Sequence, residues 1–130
     1  MKTNRTVAII GECMIELSGQ PFLPQQQRFG GDTLNTALYL SRLEPSLHPR
    51  YITGLGADTY STLMKKAWEE EGINCQSVIT IPEKLPGLYA IEIDPCGERS
   101  FIIGVMMRPH VILQQIAVLQ HTSMHYLIIV

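Results

Sequence analysis

Through residues 6–72 short apolar runs closed by glycine alternate with capped amphipathic stretches, and this alternation limits the folds open to the chain. Thr6-Val7-Ala8-Ile9-Ile10 stops at Gly11 and reads as a buried strand. Met14-Ile15-Glu16-Leu17 can continue as a second extended piece, and Gln20 to Gln27, polar with two prolines, reads as a loop. Asp32 or Thr33 can cap a helix running through Arg42, with Leu34, Ala37, Leu38 and Leu43 as its apolar stripe. Tyr51-Ile52-Thr53 is a strand closed by Gly54 and Gly56. Asp58 or Thr59 caps a second helix through Glu71, with Leu63, Met64, Ala67 and Trp68 inward and Gly72 as its C-terminal stop. Strand, helix, strand, helix in that order predicts an α/β fold with a parallel sheet and helices packed on it. Val78–Thr80, Leu88–Ile93 and Arg99–Ile103 follow as strands, and Asp94-Pro95-Cys96-Gly97 between the last two predicts a hairpin, hence a small extra sheet beside the core.

Composition narrows the function classes. With 10 Lys+Arg against 12 Asp+Glu, the formal charge of −2 gives no general pull toward nucleic acid or anionic membrane. No apolar run reaches the roughly 18–20 residues that span a bilayer. The basic start, Met1 to Arg5, is followed by no secretory cleavage pattern, so a cytoplasmic protein is expected. Cys13, Cys75 and Cys96 are odd in number and widely spaced, against both a disulfide framework and a zinc site. The character changes near Phe101: residues 102–130 carry no Asp, Glu or Lys, a single formal charge at Arg108, and three of the four His. Residues 1–101 therefore read as one folded portion, and 102–130 as an aberrant tail ending on apolar Ile128-Ile129-Val130.

Several segments carry candidate chemistry. Gly11-Glu12-Cys13-Met14 follows a strand but lacks the glycines of a dinucleotide-binding turn, so Gly11 reads as a strand end. Gly30-Gly31-Asp32-Thr33-Leu34-Asn35 is the most informative: two glycines admit a ligand close to the backbone, and a helix start presents free N–H groups. Asp32 and Asn35 together offer the acceptors and donors that a polyhydroxy ligand needs, although on chemistry alone a common Asp cap after a glycine turn is the slightly better account of the pattern. Gly54-Leu55-Gly56-Ala57-Asp58 lacks the Lys and Ser/Thr of a phosphate loop and reads as a turn capped by Asp58. Tyr89, just past Leu85-Pro86-Gly87-Leu88, can contact a sugar or pack across a strand pair. His110, His121 and His125 have no ligand spacing and are given no metal role.

Taken together, Gly30–Ala37 and Gly54–Asp58 resemble the N-terminal signature of the ribokinase-like sugar kinases, the PfkB family. Gly11–Ser18, Leu85–Tyr89 and Asp94–Phe101 resemble more narrowly those members that act on 2-keto-3-deoxygluconate (2-dehydro-3-deoxygluconate). The resemblance covers residues 5–101 and implies a three-layer α/β/α core with a small β lid over the sugar. It implies transfer of the ATP γ-phosphoryl group to a sugar hydroxyl with Mg²⁺, a sugar-acid substrate, and pairing of copies through the lid. It places Gly31, Asp32, Thr33, Leu34 and Asn35 along the sugar site, with Tyr89 reaching it from the lid. The family's catalytic base lies in a later Asp-Thr-x-Gly-Ala-Gly-Asp motif, where it deprotonates the hydroxyl beside glycine N–H groups. That motif does not occur in these 130 residues, so neither ATP nor Mg²⁺ is expected to bind them, and no turnover is expected of them alone.

After Phe101 the family's typical Tyr-Tyr-Trp-Arg-Asn gives way to Ile102-Ile103-Gly104-Val105, which removes a Tyr and an Arg of the lid at Ile103 and Val105. Met106 and Met107 are each ATG and Arg108 can begin CG, and read in the neighbouring frame these bases give Asp-Ala, as the family would have. The expectation is therefore a single-base deletion near Phe101, a truncated kinase with a frameshifted tail, and a half-sheet with an uncovered apolar face and weak stability.

Overall fold

A computed structural model describes residues 6–103 and 126–129. Strands β1 (Thr6–Ile10), β4 (Arg50–Leu55), β5 (Val78–Thr80) and β8 (Tyr126–Ile129) form one sheet in the order β5-β4-β1-β8, every pair parallel. Strands β2 (Met14–Gly19), β3 (Gln26–Gly30), β6 (Gly87–Ile93) and β7 (Arg99–Ile103) form a second sheet in the order β3-β2-β6-β7. Here β2 runs antiparallel to β3 and parallel to β6, and β6 and β7 form the expected hairpin. Its turn is fixed by Asp94 Oδ1, which accepts from Cys96 N and Glu98 N at 2.8 Å each, and by Gly97 at φ +84°.

Helices α1 (Asp32–Leu43) and α2 (Thr59–Glu70) pack their apolar stripes on the parallel sheet. Val7, Ile9, Tyr51 and Leu55 of the strands meet Leu34, Ala37, Met64 and Trp68 of the helices in one buried cluster, joined by Ile15 of the second sheet. Trp68 is its centre: Tyr51 lies edge-on at 5.2 Å and Phe29 of β3 at 6.5 Å. On the opposite face of the parallel sheet Ala8, Ile10 and Ile52 are buried as well. An all-parallel sheet is apolar on both faces, and leaving one wet costs about 25 cal/mol per Å².

Other expectations need correction. The stretch read as a loop through Gln27 is already strand at Gln26, because its main chain pairs with β2 from Ser18↔Gln26 to Met14↔Gly30. α1 is capped by Gly31, with no side-chain cap from Asp32 or Thr33, which both lie inside the helix. Leu43 and Leu63 are exposed; Ser41 and Ser61 take the inward positions beside them. Asp58 does cap α2, accepting from Ser61 N at 3.0 Å, and Gly72 follows that helix at φ +82°. Tyr126–Ile129 forms a strand in register with Thr6–Ile9 of β1, and so takes in two of the three apolar residues, Ile128-Ile129-Val130, on which the sequence ends. Gly104 to His125, including Val105, His110, His121 and His125, lie outside the described residues.

Candidate functional site

The site lies where the lid sheet is rooted on the core. β2 leaves the core after β1, and its first residue, Met14, pairs with Gly30 on one side and Gly87 on the other. Those two glycines hold the backbones of three lid strands together at the mouth of α1. Tyr89, one pleat along β6 from Gly87, reaches back across this junction. Its phenol donates to Glu16 Oε2 at 2.5 Å, and a Cβ on Gly30 would stand only 2.6 Å from the Tyr89 oxygen. A side chain at Gly30 would therefore have to displace the phenol from Glu16. Burial, and then the carboxylate of Glu16, push the Tyr89 phenol well above its ordinary pKa, so it stays a donor.

Gly31 follows at φ +151°, a conformation that favours glycine, and a Cβ there would meet the Glu12 carbonyl at 2.7 Å. The first turn of α1 then divides its residues. Asp32 and Asn35 point into solvent, while Asn35 N closes the first helical bond on Gly31 O at 2.9 Å. The Thr33 hydroxyl turns inward, 3.0 Å from the Tyr51 hydroxyl, and packs against Gly11, where a Cβ would be 2.2 Å away. Gly11 thus does more than end a strand: it makes room for Thr33. Leu34 is fully buried, main chain included, beneath the residues that face the junction. The six candidate residues therefore converge at one junction, with the carboxylate of Asp32, the amide of Asn35 and the phenol of Tyr89 as its polar side-chain groups.

Glu16 was not among the candidates. The signal was present, since alternation in β2 sets Glu16 opposite to Ile15 and Leu17, but the partner that gives it meaning lies on a distant strand. The Gly54–Asp58 turn does not fit a phosphate: Gly56 N is taken by Ser61 Oγ at 3.0 Å, and the Asp58 carboxylate occupies the helix N-terminus. Asp58 titrates low, for although burial opposes it, the Ser61 hydroxyl and main-chain N–H groups favour its charged form. Among the described residues no cluster of His, Cys, Asp or Glu could hold a metal ion, and no helix is long and apolar enough to cross a membrane.

A junction of this kind, between a parallel α/β core and a four-stranded lid, has known counterparts. Residues 4–114 match the pfkB family of carbohydrate kinases. The chain belongs to that family. Over 101 residues it is 50% identical to the 2-dehydro-3-deoxygluconokinase of Dickeya dadantii, covering 76% of this chain and 32% of that protein. The enzyme of the same name from Escherichia coli K12 is 44% identical over 100 residues, 75% of this chain and 32% of that one. The chain thus spans about a third of the length of the curated relatives it matches. Among solved structures, the 2-dehydro-3-deoxygluconokinase of Thermotoga maritima superposes with a TM-score of 0.64 at 18% identity, covering 76% of this chain and 32% of that one. Fructokinase of Xylella fastidiosa with bound ATP does so with a TM-score of 0.65 at 23% identity, covering 85% and 35%. These likenesses establish the ribokinase-like α/β fold for this pfkB-family chain.

Proposed function

We propose that these residues form the sugar-binding part of a kinase that phosphorylates 2-dehydro-3-deoxygluconate or a related sugar acid. In this reading Gly31, Asp32, Thr33, Leu34 and Asn35 form the segment along the sugar, and Tyr89 covers it from the lid. The convergence of Tyr89 with the Gly30–Asn35 junction carries this reading. The substrate class is supported by the relatives' names. ATP supplies the phosphoryl group in the same reading and Mg²⁺ accompanies it, in the cytoplasm. The Gly54–Asp58 turn is closed to a phosphate and the 130 residues carry no Gly-Ala-Gly-Asp segment, so in this reading they bind sugar without turning it over. A calorimetric titration of the folded chain with 2-dehydro-3-deoxygluconate tests the binding. Saturable heat that disappears in Asp32→Ala, an exposed position, supports it; no heat from a folded chain refutes it. ATP-dependent phosphorylation by the purified chain would overturn the inactivity.

The same reading takes residues 102–130 as the product of a single-base deletion near Phe101. Sequencing the gene decides this, because the neighbouring frame must regenerate the family sequence.

A second reading, a non-catalytic module that pairs with another copy or with an intact kinase through the lid, is favoured by Phe101 and Ile102. These sit 68% and 54% exposed on the edge strand β7. Sedimentation of the chain separates the two, since pairing makes it dimeric and Phe101→Ser makes it monomeric.

A further inference from the structure

Among the described residues the chain passes between core and lid at three places: residues 11–13 from β1 to β2, Gly31 from β3 to α1, and residues 81–86 from β5 to β6. Glu12 touches both of the other crossings. Its carbonyl closes on Gly31, where a Cβ would be 2.7 Å from it, and its carboxylate stands 3.4 Å from Lys84 Nζ. Lys84 in turn grips the core. Its ammonium donates to Gly54 O at 3.0 Å, and its own carbonyl lies against Gly56, where a Cβ would be 2.0 Å away. Both side chains are largely withdrawn from water, Lys84 at 22% and Glu12 at 17% exposure. A surface ion pair at such exposures would contribute little, but a half-buried pair that also satisfies a main-chain carbonyl leaves an uncompensated charge when either partner is removed.

We propose that the Glu12–Lys84 ion pair is a clamp at the root of the lid, and that both are positioning residues for the sugar site. The argument is geometric. Glu12 precedes Cys13-Met14, where Met14 sets the register of β2 against Gly30 and Gly87. Lys84 lies just before Gly87 and Tyr89 on the other arm. The clamp ties these two arms to each other and, through the Gly54 carbonyl, to the end of β4. The angle it fixes sets where Tyr89 stands over the Gly30–Asn35 junction. Without it the lid keeps its hairpin but loses its bearing on the core.

The claim about the site rests on the sugar-binding reading above; the claim about the lid root does not, and the test separates them. Hydrogen exchange on the full chain reads the amides of Ile81, bonded to Leu55 O at 2.7 Å, and Lys84, bonded to Ile81 O at 2.9 Å. The Gly97 amide of the distant hairpin, bonded to Asp94 O at 2.9 Å, is the internal control. Lys84→Met and Glu12→Gln are each expected to speed exchange at Ile81 and Lys84 about 10-fold, leaving Gly97 unchanged, and to weaken 2-dehydro-3-deoxygluconate binding by a similar factor. Lys84→Arg, which keeps the charge, should restore most of both. If Lys84→Met fails to fold, the near-isosteric Glu12→Gln carries the same measurement. Unchanged exchange at Ile81 and Lys84 overturns the clamp. Faster exchange with unchanged sugar affinity overturns the positioning role. No sugar binding by the unaltered chain refutes the substrate reading and leaves the exchange result to decide the clamp.

Discussion

The two sheets are built to different rules. In the core sheet, β1 and β4 are buried at every position but the first, with helices packed against one face. In the lid sheet, β3 is exposed along its first three residues, and Phe101 and Ile102 of β7 stand in solvent. The core holds itself together by apolar burial. The lid is held by main-chain ladders, by the packing of Ile15, Leu17 and Phe29 against the core, and by a few polar contacts at its root. The comparison teaches where stability and ligand chemistry reside: the polar groups of the candidate site lie at the seam, where the rigid sheet meets the one with less burial to lose.

Trp68 should break the core side of this comparison most severely. It is fully buried among Tyr51, Phe29 and the strands, and nothing in the cluster can fill the space it leaves. Trp68→Ala is expected to cost about 3–5 kcal/mol, read as a fall in the urea midpoint. Trp68→Phe should cost much less than that, because the Trp68 Nε1–H has no hydrogen-bond partner to lose. Equal losses in the two variants would mean that the core is not organised around this ring.

On the lid side the decisive contact is the Tyr89 phenol on Glu16. Tyr89→Phe removes a hydrogen bond to a carboxylate and is expected to cost about 1–2 kcal/mol. The phenol's pKa is raised in the fold, so this contribution is full below the ordinary phenol value of about 10 and is lost as pH rises through the higher folded value. A urea series across alkaline pH should show wild type and Tyr89→Phe converging at the high end. If they run parallel, the phenol does not donate to Glu16.

These contacts mark the limit of what the chain discloses by itself. α2 was legible because a cap, an apolar stripe and a terminal glycine agree over Asp58–Gly72, and the β6–β7 hairpin because its turn chemistry is local. β3 was not, since Gln26-Gln27-Arg28 has neither alternation nor β-branched residues and becomes a strand only by pairing with β2. The same division runs through the site. Gly30-Gly31 and Tyr89 stood out as a junction and an aromatic hydroxyl. Glu16 did not, because its partner is 73 residues away, and neither did Glu12 and Lys84, which acquire meaning only when three crossings are brought together. Leu34 and Thr33 entered the site through the family resemblance alone, and the fold commits the side chain of one to the core and the hydroxyl of the other to Tyr51.

Asp58 tests the core at its surface. Asp58→Ala should cost about 1 kcal/mol through loss of the cap on Ser61 N. The folded carboxyl titrates below its ordinary value of about 3.9, so the stabilisation is present above that pH and is lost as pH falls through the folded value. Thermal melts of the two proteins should therefore separate at neutral pH and draw together in strong acid. Separation that persists in strong acid would assign the effect to the helix backbone and not to the charged cap.

The smallest expected effect is also the sharpest check on how α2 faces the sheet. The apolar stripe of α2 admits Leu63 and Met64 alike by residue type, yet Leu63 is 58% exposed and Met64 only 3%. A helix turned by one residue would exchange these roles and swing Trp68 away from Tyr51. Leu63→Ala should stay within about 0.5 kcal/mol of wild type, since an exposed leucine has little contact to lose. Met64→Ala, made in parallel, should cost about 2–5 kcal/mol. A reversed order would place the other face of α2 against the core, and with it would fall the packing of Trp68 on which the comparison between the two sheets depends.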